Sequence, residues 1–481
     1  MPADDLLYAF ANRYVTAPQW IRTLAGRTYA MLPPSVRFGA AYDRFCALFE
    51  ERTIDRDDCT RRLAATLTTA LMNVAAYRRN AHLLPLATSA PEEVLGQLPT
   101  TSKEQIKLDL GSYISIAHGP RDRLRTCTGG STSVPMTFYL HKRVTRAKEW
   151  AAFHALGRRH GTQGDGVILA LRGRTVDVNG GRRFWSYDPV KRHLILSSDH
   201  LEPQFMPRYV SVLRRWRPKF IHAFPSALFP LLTWLREHDE EALLEQVDGV
   251  LLTSESVFEH HLRAFKSFFH CPVILQYGHS ERVLFAHTLH DDERYHFWPH
   301  YGHFELLDAN GAAVTTPGQA GEIVGTSLDN AVMPFVRYRT GDYAVLSERP
   351  HPSMSGCPVV ERIEGRLQEF VVCRDHRLVT ITTLGSRHFA ELDKCLRIQF
   401  EQREAGRLLL KVMPLQPLSD SDRARLARAV TDKTQGGCTV EVVEVESVPT
   451  TSRGKQRLLV QHLDVGAYLG SAMNTVPGPL V

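Results

Sequence analysis

Between Lys219 and Tyr277, three short runs rich in β-branched and apolar residues alternate with stretches of helical periodicity. The runs are KFIHAF, VDGVLLT and PVILQY, and the helical stretches begin near Ser226 and Phe258. Strand, helix, strand, helix, strand in that order implies parallel strands joined by right-handed crossovers. The segments after the strands, Pro225-Ser226, Ser254-Glu255 and Gly278-His279-Ser280-Glu281, then emerge at one edge. A ligand site at that edge follows from the topology, and ordinary turns would give the same pattern. Upstream, Leu, Ala and Arg recur at helical spacing, as in Cys59 to Tyr77, and Thr101 or Ser102 can cap a further helix. Thr137 to Leu140 and Val167 to Leu171 read as strands, with a helix from Arg143 to Gly157 between them. From Tyr301 the runs HFELLD, GEIVGTSL and VRYRTGDYAVL predict antiparallel strands. Beyond Arg366, LRIQF, RLLLKV, DSDRARLARAVTDK and TVEVVEV predict strand, strand, helix, strand, a small α+β unit. The fold class is therefore α/β, a large N-terminal domain with parallel and antiparallel sheets plus a small α+β C-terminal domain.

Length changes this picture little, since 481 residues suit one large and one smaller domain. The expected organisation is a helical part over 1–97, a core over 98–366, a small domain over 367–465 and a tail over 466–481. A formal charge of +6, spread along the chain, gives no reason to expect a nucleic-acid partner. No apolar stretch approaches a membrane span, and MPADDLLYAF does not read as a signal peptide. The eight cysteines lack the spacing of a zinc knuckle or redox pair, which fits reduced thiols in a cytoplasmic protein. The histidines are not arranged as HExxH or any similar metal-binding pattern.

The chemistry-bearing candidate is the loop Thr128-Gly129-Gly130-Ser131-Thr132-Ser133-Val134-Pro135. Its glycines let backbone amides approach an anion and its hydroxyls can donate to phosphate oxygens, so it is either a phosphate cradle or a solvated turn. It is not a Walker loop, because GK[ST] is absent. At the strand edge, Tyr277 offers a ring to a purine and Glu281 a carboxylate to a hydrated cation or to Arg282. Asp342, beside Gly341, can accept from two vicinal hydroxyls or from Arg339. Arg366 and Gln368 fall at a junction suited to a hinge or a plain linker. Lys455 lies in a polar loop, where a lysine is ordinarily a solvated charge.

TGGSTSVPMTFYL resembles the phosphate loop of the adenylate-forming superfamily, which comprises acyl-CoA synthetases, adenylation domains and luciferases. Thr128, Gly130, Ser131, Thr132 and Pro135 match its usual form, whereas Ser133 replaces a glycine and Met136 a frequent lysine. The missing lysine is similar to the branch of phenylacetate-CoA ligase and its capsule-biosynthesis relatives. LPTTSKEQIK, FWSYDPVKRHLILSSDHL, RPKFIHAFPSALFPLL, LLTSES, QYGHSE, MPFVRYRTGDY, IEGRLQEFV and PTTSRGKQR resemble that branch in order, from about Leu98 to Leu459.

The resemblance implies ATP-dependent activation of a carboxylic acid as an acyl adenylate, followed by transfer to a nucleophile. Thr128, Gly129, Gly130, Ser131 and Thr132 would hold phosphates, and Ser254, Glu255, Tyr277 and Gly278 the adenine. Asp342 would hold the ribose and Arg366 nucleotide hydroxyl or phosphate groups. Glu281 and Thr132 would hold Mg2+, and Lys455 would bridge carboxylate and α-phosphate during adenylation. Gln368 would be the hinge, without the charge usual there. Phe184, Trp185, Phe224 and His279 are the expected acid-pocket residues, whose aromatic character suits an aryl or apolar acid. The acceptor expected first is the thiol of coenzyme A, the alternative being an amine to give an amide. A nucleotide-binding protein that has lost catalysis is the further alternative. The acid and the oligomeric state are not legible.

Overall fold

The computed structural model describes residues 17–51, 54–128, 136–161, 164, 166–172, 184–197, 201, 203–255, 257, 259–366, 369–381, 384, 395–414, 416–449 and 457–468. Its first part is helical, with Gln19–Met31, Ala41–Glu50 and α1 (Arg56–Asn73) the longest pieces before residue 100. α1 starts at Asp55, whose carboxylate accepts from the Asp58 amide. α2 (Lys103–Leu108) opens on a reciprocal capping box between Ser102 and Gln105. A hairpin of β1 (Arg123–Cys127) and β2 (Thr137–His141) follows, and then α3 (Thr145–His160), closed by left-handed Gly161.

A twelve-stranded sheet forms the body. Its parallel strands are β3 (Ile168–Leu171), β5 (His193–Leu196), β6 (Phe220–Ala223), β7 (Gly249–Thr253) and β8 (Val273–Gly278), with β4 (Trp185–Asp188) antiparallel on β5. α4 (Met206–Trp216), α5 (Pro225–Glu237) and α6 (Glu259–Phe268) cover one face, where Leu213, Leu228, Leu231 and Phe265 pack on Ile221, Val250 and Leu252. α3 and Ala41–Glu50 cover the other, where Ala151, Ala155, Phe45 and Phe49 meet Ile274 and Phe285. Both faces being buried accounts for runs such as VILQY without polar alternation.

The antiparallel strands do not form a sheet of their own. β9 (Phe285–His287), β10 (Tyr295–Phe297), β11 (Gly302–Leu307), β12 (Ala320–Ser327), β13 (Tyr338–Leu346) and β14 (Val359–Arg366) continue the same sheet in the order β8-β9-β10-β14-β13-β12-β11. In a flat sheet β13 would stand about 19 Å from β8 at four strand spacings. Yet side chains of β13 touch the end of β8, so this part curls over. The register of β13 shifts against both of its neighbours, and such bulges increase bending. The concave interior is filled by Val283, Leu284, Phe297, Ile323, Phe335 and Val360.

The small C-terminal domain holds the hairpin β15 (Phe370–Val372) and β16 (Leu378–Thr380) and a four-stranded sheet. Its strands are β17 (Cys395–Glu404), β18 (Arg407–Pro414), β19 (Thr439–Glu444) and β20 (Leu459–Gln461), with α7 (Asp420–Lys433) packed through Leu426 and Val430 on Leu410 and Val412. The expected α+β unit is present, with β20 as an additional parallel edge on β17.

Candidate active site

β8 carries its apolar run into the body and ends at Gly278, after which a turn closed by the Arg282 amide on the His279 carbonyl brings Glu281 inward. Glu281 is 7% exposed. The Tyr338 hydroxyl donates to its Oε1 at 2.6 Å, and His279 Nδ1 stands 3.3 Å from its Oε2. Burial alone would raise this carboxyl, but the contacts from His279 and then Tyr338 outweigh it and bring the pKa down to about 2. Glu281 is thus a fixed anion at neutral pH. His279 Nε2 is buried and has no protein partner, which leaves a polar atom for a ligand to satisfy.

The Tyr277 hydroxyl donates to Asp342 Oδ2 at 2.8 Å. Burial first, and the Asp342 carboxylate second, push the Tyr277 phenol well above its ordinary range, so it stays a neutral donor. Asp342 is set by the turn before it. Gly341 has φ +77°, its amide donates to Glu322, and the Asp342 amide donates to the Thr340 hydroxyl at 3.1 Å. Across the β13–β14 ladder Asp342 pairs with Arg366, whose Nε lies 3.4 Å from Asp342 Oδ1. Lys103 joins this group because Thr101 bridges to β13 through the Arg337 carbonyl and the Arg339 amide. Its ammonium is lowered by burial first, then by Arg366, with Glu281 acting the other way. Two carboxylates, two phenols and two cations therefore meet at the edge where β8 ends.

No family model matches the chain. It is 22% identical to the CapK protein of Staphylococcus aureus over 379 residues, 77% of this chain and 80% of that one. It is similar in structure to 2-hydroxyisobutyryl-CoA ligase in complex with R3-HIB-AMP, at TM-score 0.66, with 16% identity over 88% of this chain and 93% of that one. It is also similar to the acyl acid amido synthetase AtGH3.15, at TM-score 0.55, with 13% identity over 92% and 97%. The chain shares the fold of these two proteins. In sequence it is distantly similar to CapK.

The glycine-rich loop lies mostly outside the described residues, as Gly129, Gly130, Ser131 and Thr132 are not among them. Its first residue, Thr128, is buried. The Thr128 amide donates to the Met136 carbonyl and the Met136 amide to the Thr128 hydroxyl, both at 2.9 Å. Met136 itself is wholly buried with Phe138, Val283 and Phe335, so the position where many relatives carry lysine is here a core position. Gln368 and Lys455 also lie outside the described residues.

Ser254 follows β7 with φ +68° and is exposed, while Glu255 Oε2 accepts from the Ser226 amide at 3.1 Å in the first turn of α5. Glu255 is therefore held by a helix N-terminus, where a carboxylate is favoured. The structure does not bring Phe184 and Trp185 to the site. Phe184 packs on Phe205 and Tyr209, and Trp185 on Trp216, at the β4 edge, with β5, β3, β6 and β7 between them and β8. Phe224 is buried in the same apolar cluster as Phe184, at the end of β6. His279 is at the site but engaged with Glu281. Sequence reasoning missed Tyr338 and Lys103 as site groups, although both lie in runs that carry the resemblance. Their involvement depends on the curl of the sheet and on the Thr101 bridge, which no spacing announces.

Proposed function

We propose that the chain is an AMP-forming acid ligase. The observation that carries this is the convergence, at the end of the parallel strands, of the ionised Glu281 with the Tyr277–Asp342–Arg366 group. In this reading Tyr277 and Gly278, with Ser254 and Glu255 beside them, face the adenine. Asp342 accepts from the ribose hydroxyls, and Arg366 and Lys103 bring positive charge to the phosphates. Thr128 to Thr132 supply backbone and hydroxyl donors to the phosphates.

Mg2+ fits this donor set in one way. Among the described residues there is no group of three or more His, Cys, Asp or Glu side chains able to hold a metal. Glu281 offers one ionised carboxylate, with acceptor capacity beyond its contacts from Tyr338 and His279. That suits a largely hydrated cation bound mainly by phosphate oxygens, with Glu281 and Thr132 as its protein contacts. Its contribution when bound is neutralisation of phosphate charge.

The acid's carboxylate oxygen attacks the α-phosphorus, the bond to the bridging oxygen breaks and pyrophosphate leaves. Lys455 stabilises the charge shared by the attacking oxygen and the α-phosphate. The small domain then turns about Gln368, and a nucleophile displaces AMP from the acyl carbon. Coenzyme A is the first acceptor in this reading and an amine the second. A cytoplasmic setting, where ATP and coenzyme A are present, goes with it; among the described residues no helix is long and apolar enough to cross a membrane. Incubation with MgATP, a panel of aryl and alkyl acids and hydroxylamine tests the proposal. Pyrophosphate release with hydroxamate formation is expected, and repeating it with coenzyme A or amines separates the acceptors. ATP binding without pyrophosphate release across the panel would identify a nucleotide-binding protein instead.

A further inference from the structure

β13 meets β12 out of step beside the site. Glu322 pairs with Tyr343, and the next pair in the ladder is Val324 with Arg339. Ile323 alone therefore stands opposite Thr340, Gly341 and Asp342, a wider bulge than the usual single extra residue. On its other side β13 is already in register at Asp342, which pairs with Arg366 of β14. The bulge ends at Asp342, and its shape decides where that carboxylate stands.

Two side chains hold the shape. Glu322 is 5% exposed and takes no part in the reaction itself. Its Oε2 accepts from Arg339 Nε at 2.7 Å and from a second nitrogen of the same guanidinium, where the bulge begins. Its Oε1 accepts from the Gly341 amide at 3.1 Å, in the middle of the bulge. The Thr340 hydroxyl donates to the Ile323 carbonyl at 2.7 Å and accepts from the Asp342 amide at 3.1 Å, which tethers the backbone of Asp342 to β12. Conformation, not space, asks for glycine at 341, since φ is +77° and a Cβ there would meet nothing within 4 Å. A buried carboxylate is costly unless it is paired and hydrogen-bonded, and here the pairing and the bonds come from the bulge.

We propose that Glu322 and Thr340 are positioning residues for the ribose site. They fix the bulge so that Asp342, met from β8 by Tyr277 and from β14 by Arg366, presents its remaining acceptor capacity to two vicinal hydroxyls. The inference rests on the reading of Asp342 as the ribose acceptor, and both residues act through Asp342 without touching the nucleotide. Loosening the bulge should therefore cost the contacts to those hydroxyls and leave the rest of the nucleotide's binding in place.

Calorimetry on the full chain with Mg2+ tests this by comparing ATP with 2′,3′-dideoxyATP, which lacks both hydroxyls. The proteins are wild type, Glu322→Gln, Thr340→Val, Thr340→Ser and Asp342→Asn. A site built to hydrogen-bond hydroxyls rejects the analogue lacking them, so wild type should bind ATP about ten-fold or more tighter. Glutamine cannot accept from both Arg339 and the Gly341 amide as the carboxylate does, and valine removes the Thr340 tether. Each change should cut the preference to about three-fold or less, with affinity for the dideoxy analogue within about two-fold of wild type. Thr340→Ser, which keeps the hydroxyl, should keep the preference. General damage to the fold would weaken both nucleotides alike; that result, or a full preference in both Glu322→Gln and Thr340→Val, overturns the proposal. If Asp342→Asn abolishes the preference while those two variants retain it, the ribose reading stands and the positioning role alone falls. If wild type shows no preference, the ribose reading falls and the proposal falls with it.

Discussion

Tyr338→Phe removes one oxygen atom and should change how Glu281 titrates more than how the site is built. The ring of Tyr338 is 2% exposed and packs against Phe335, contacts that phenylalanine keeps. What is lost is the 2.6 Å hydrogen bond to a buried carboxylate. A hydrogen bond to a charged group contributes about 1.5–3 kcal/mol. At about 1.4 kcal/mol per pKa unit, that is a rise of roughly one to two units. Glu281 would move from about 2 toward the ordinary carboxylate value of 4.5 while remaining ionised at neutral pH.

The direction with pH is fixed by linkage. A carboxyl whose folded pKa is depressed stabilises the fold above the unfolded pKa, and that stabilisation fades as pH falls toward the folded value. The variant should therefore be less stable than wild type by about 1.5–3 kcal/mol near neutrality. Between 4.5 and about 2 the difference should shrink, because the ionic part of the bond disappears as Glu281 takes up its proton. Urea unfolding of both proteins, followed by tryptophan fluorescence at about pH 7 and about pH 3, reads this directly, and the other titrating groups cancel in the difference. Equal destabilisation at both values, or none at neutrality, would refute the role given to Tyr338. ATP–pyrophosphate exchange at neutral pH should fall less than about ten-fold, since the anion itself persists.

Lys455→Ala should lower the rate of adenylate formation by orders of magnitude with ATP affinity nearly unchanged; pyrophosphate exchange and equilibrium ATP binding measure the two separately. Asp342→Asn keeps the shape of the Tyr277 contact but halves the acceptor capacity offered to a ribose, so KM for ATP should rise about ten-fold or more, and that for the acid should stay put. Asp329 lies 2.6 Å from Arg62 and 2.9 Å from the buried Lys148, whose ammonium also donates to the Tyr301 carbonyl. Asp329→Asn leaves that buried ammonium without its counter-charge and should cost about 3–5 kcal/mol in urea unfolding without altering KM for ATP.

The contrast between Glu281 and Phe184 explains what was legible beforehand. Period and order were enough for the parallel strands, since KFIHAF, VDGVLLT and PVILQY became β6, β7 and β8 in register. Crossover handedness then put Glu281 at the edge where β8 ends with no knowledge of contacts. Phe184 and Trp185 lie at the β4 edge, away from Glu281, because an aromatic side chain is consistent with any apolar environment and that edge supplied one. Met136 was legible as a departure but not as a cause. Its meaning came from burial against Phe138 and Phe335, which belong to a hairpin and a curl that alternation does not predict.

Tyr338 marks where reading along the chain stops. It stands 57 residues from Glu281 and four strands away in the sheet, and meets it because the bulges of β13 bend the antiparallel half over the parallel one. Bulges arise from a one-residue mismatch between two strands, so they are a property of a pairing and not of either sequence. That dependence also makes a structural expectation for the site. Tyr277–Asp342 and Tyr338–Glu281 both tie β8 to β13, so the curl and the chemistry share the same two hydrogen bonds. A ligand that binds Asp342 and Glu281 together therefore acts on the closure of the sheet as well as on its own affinity.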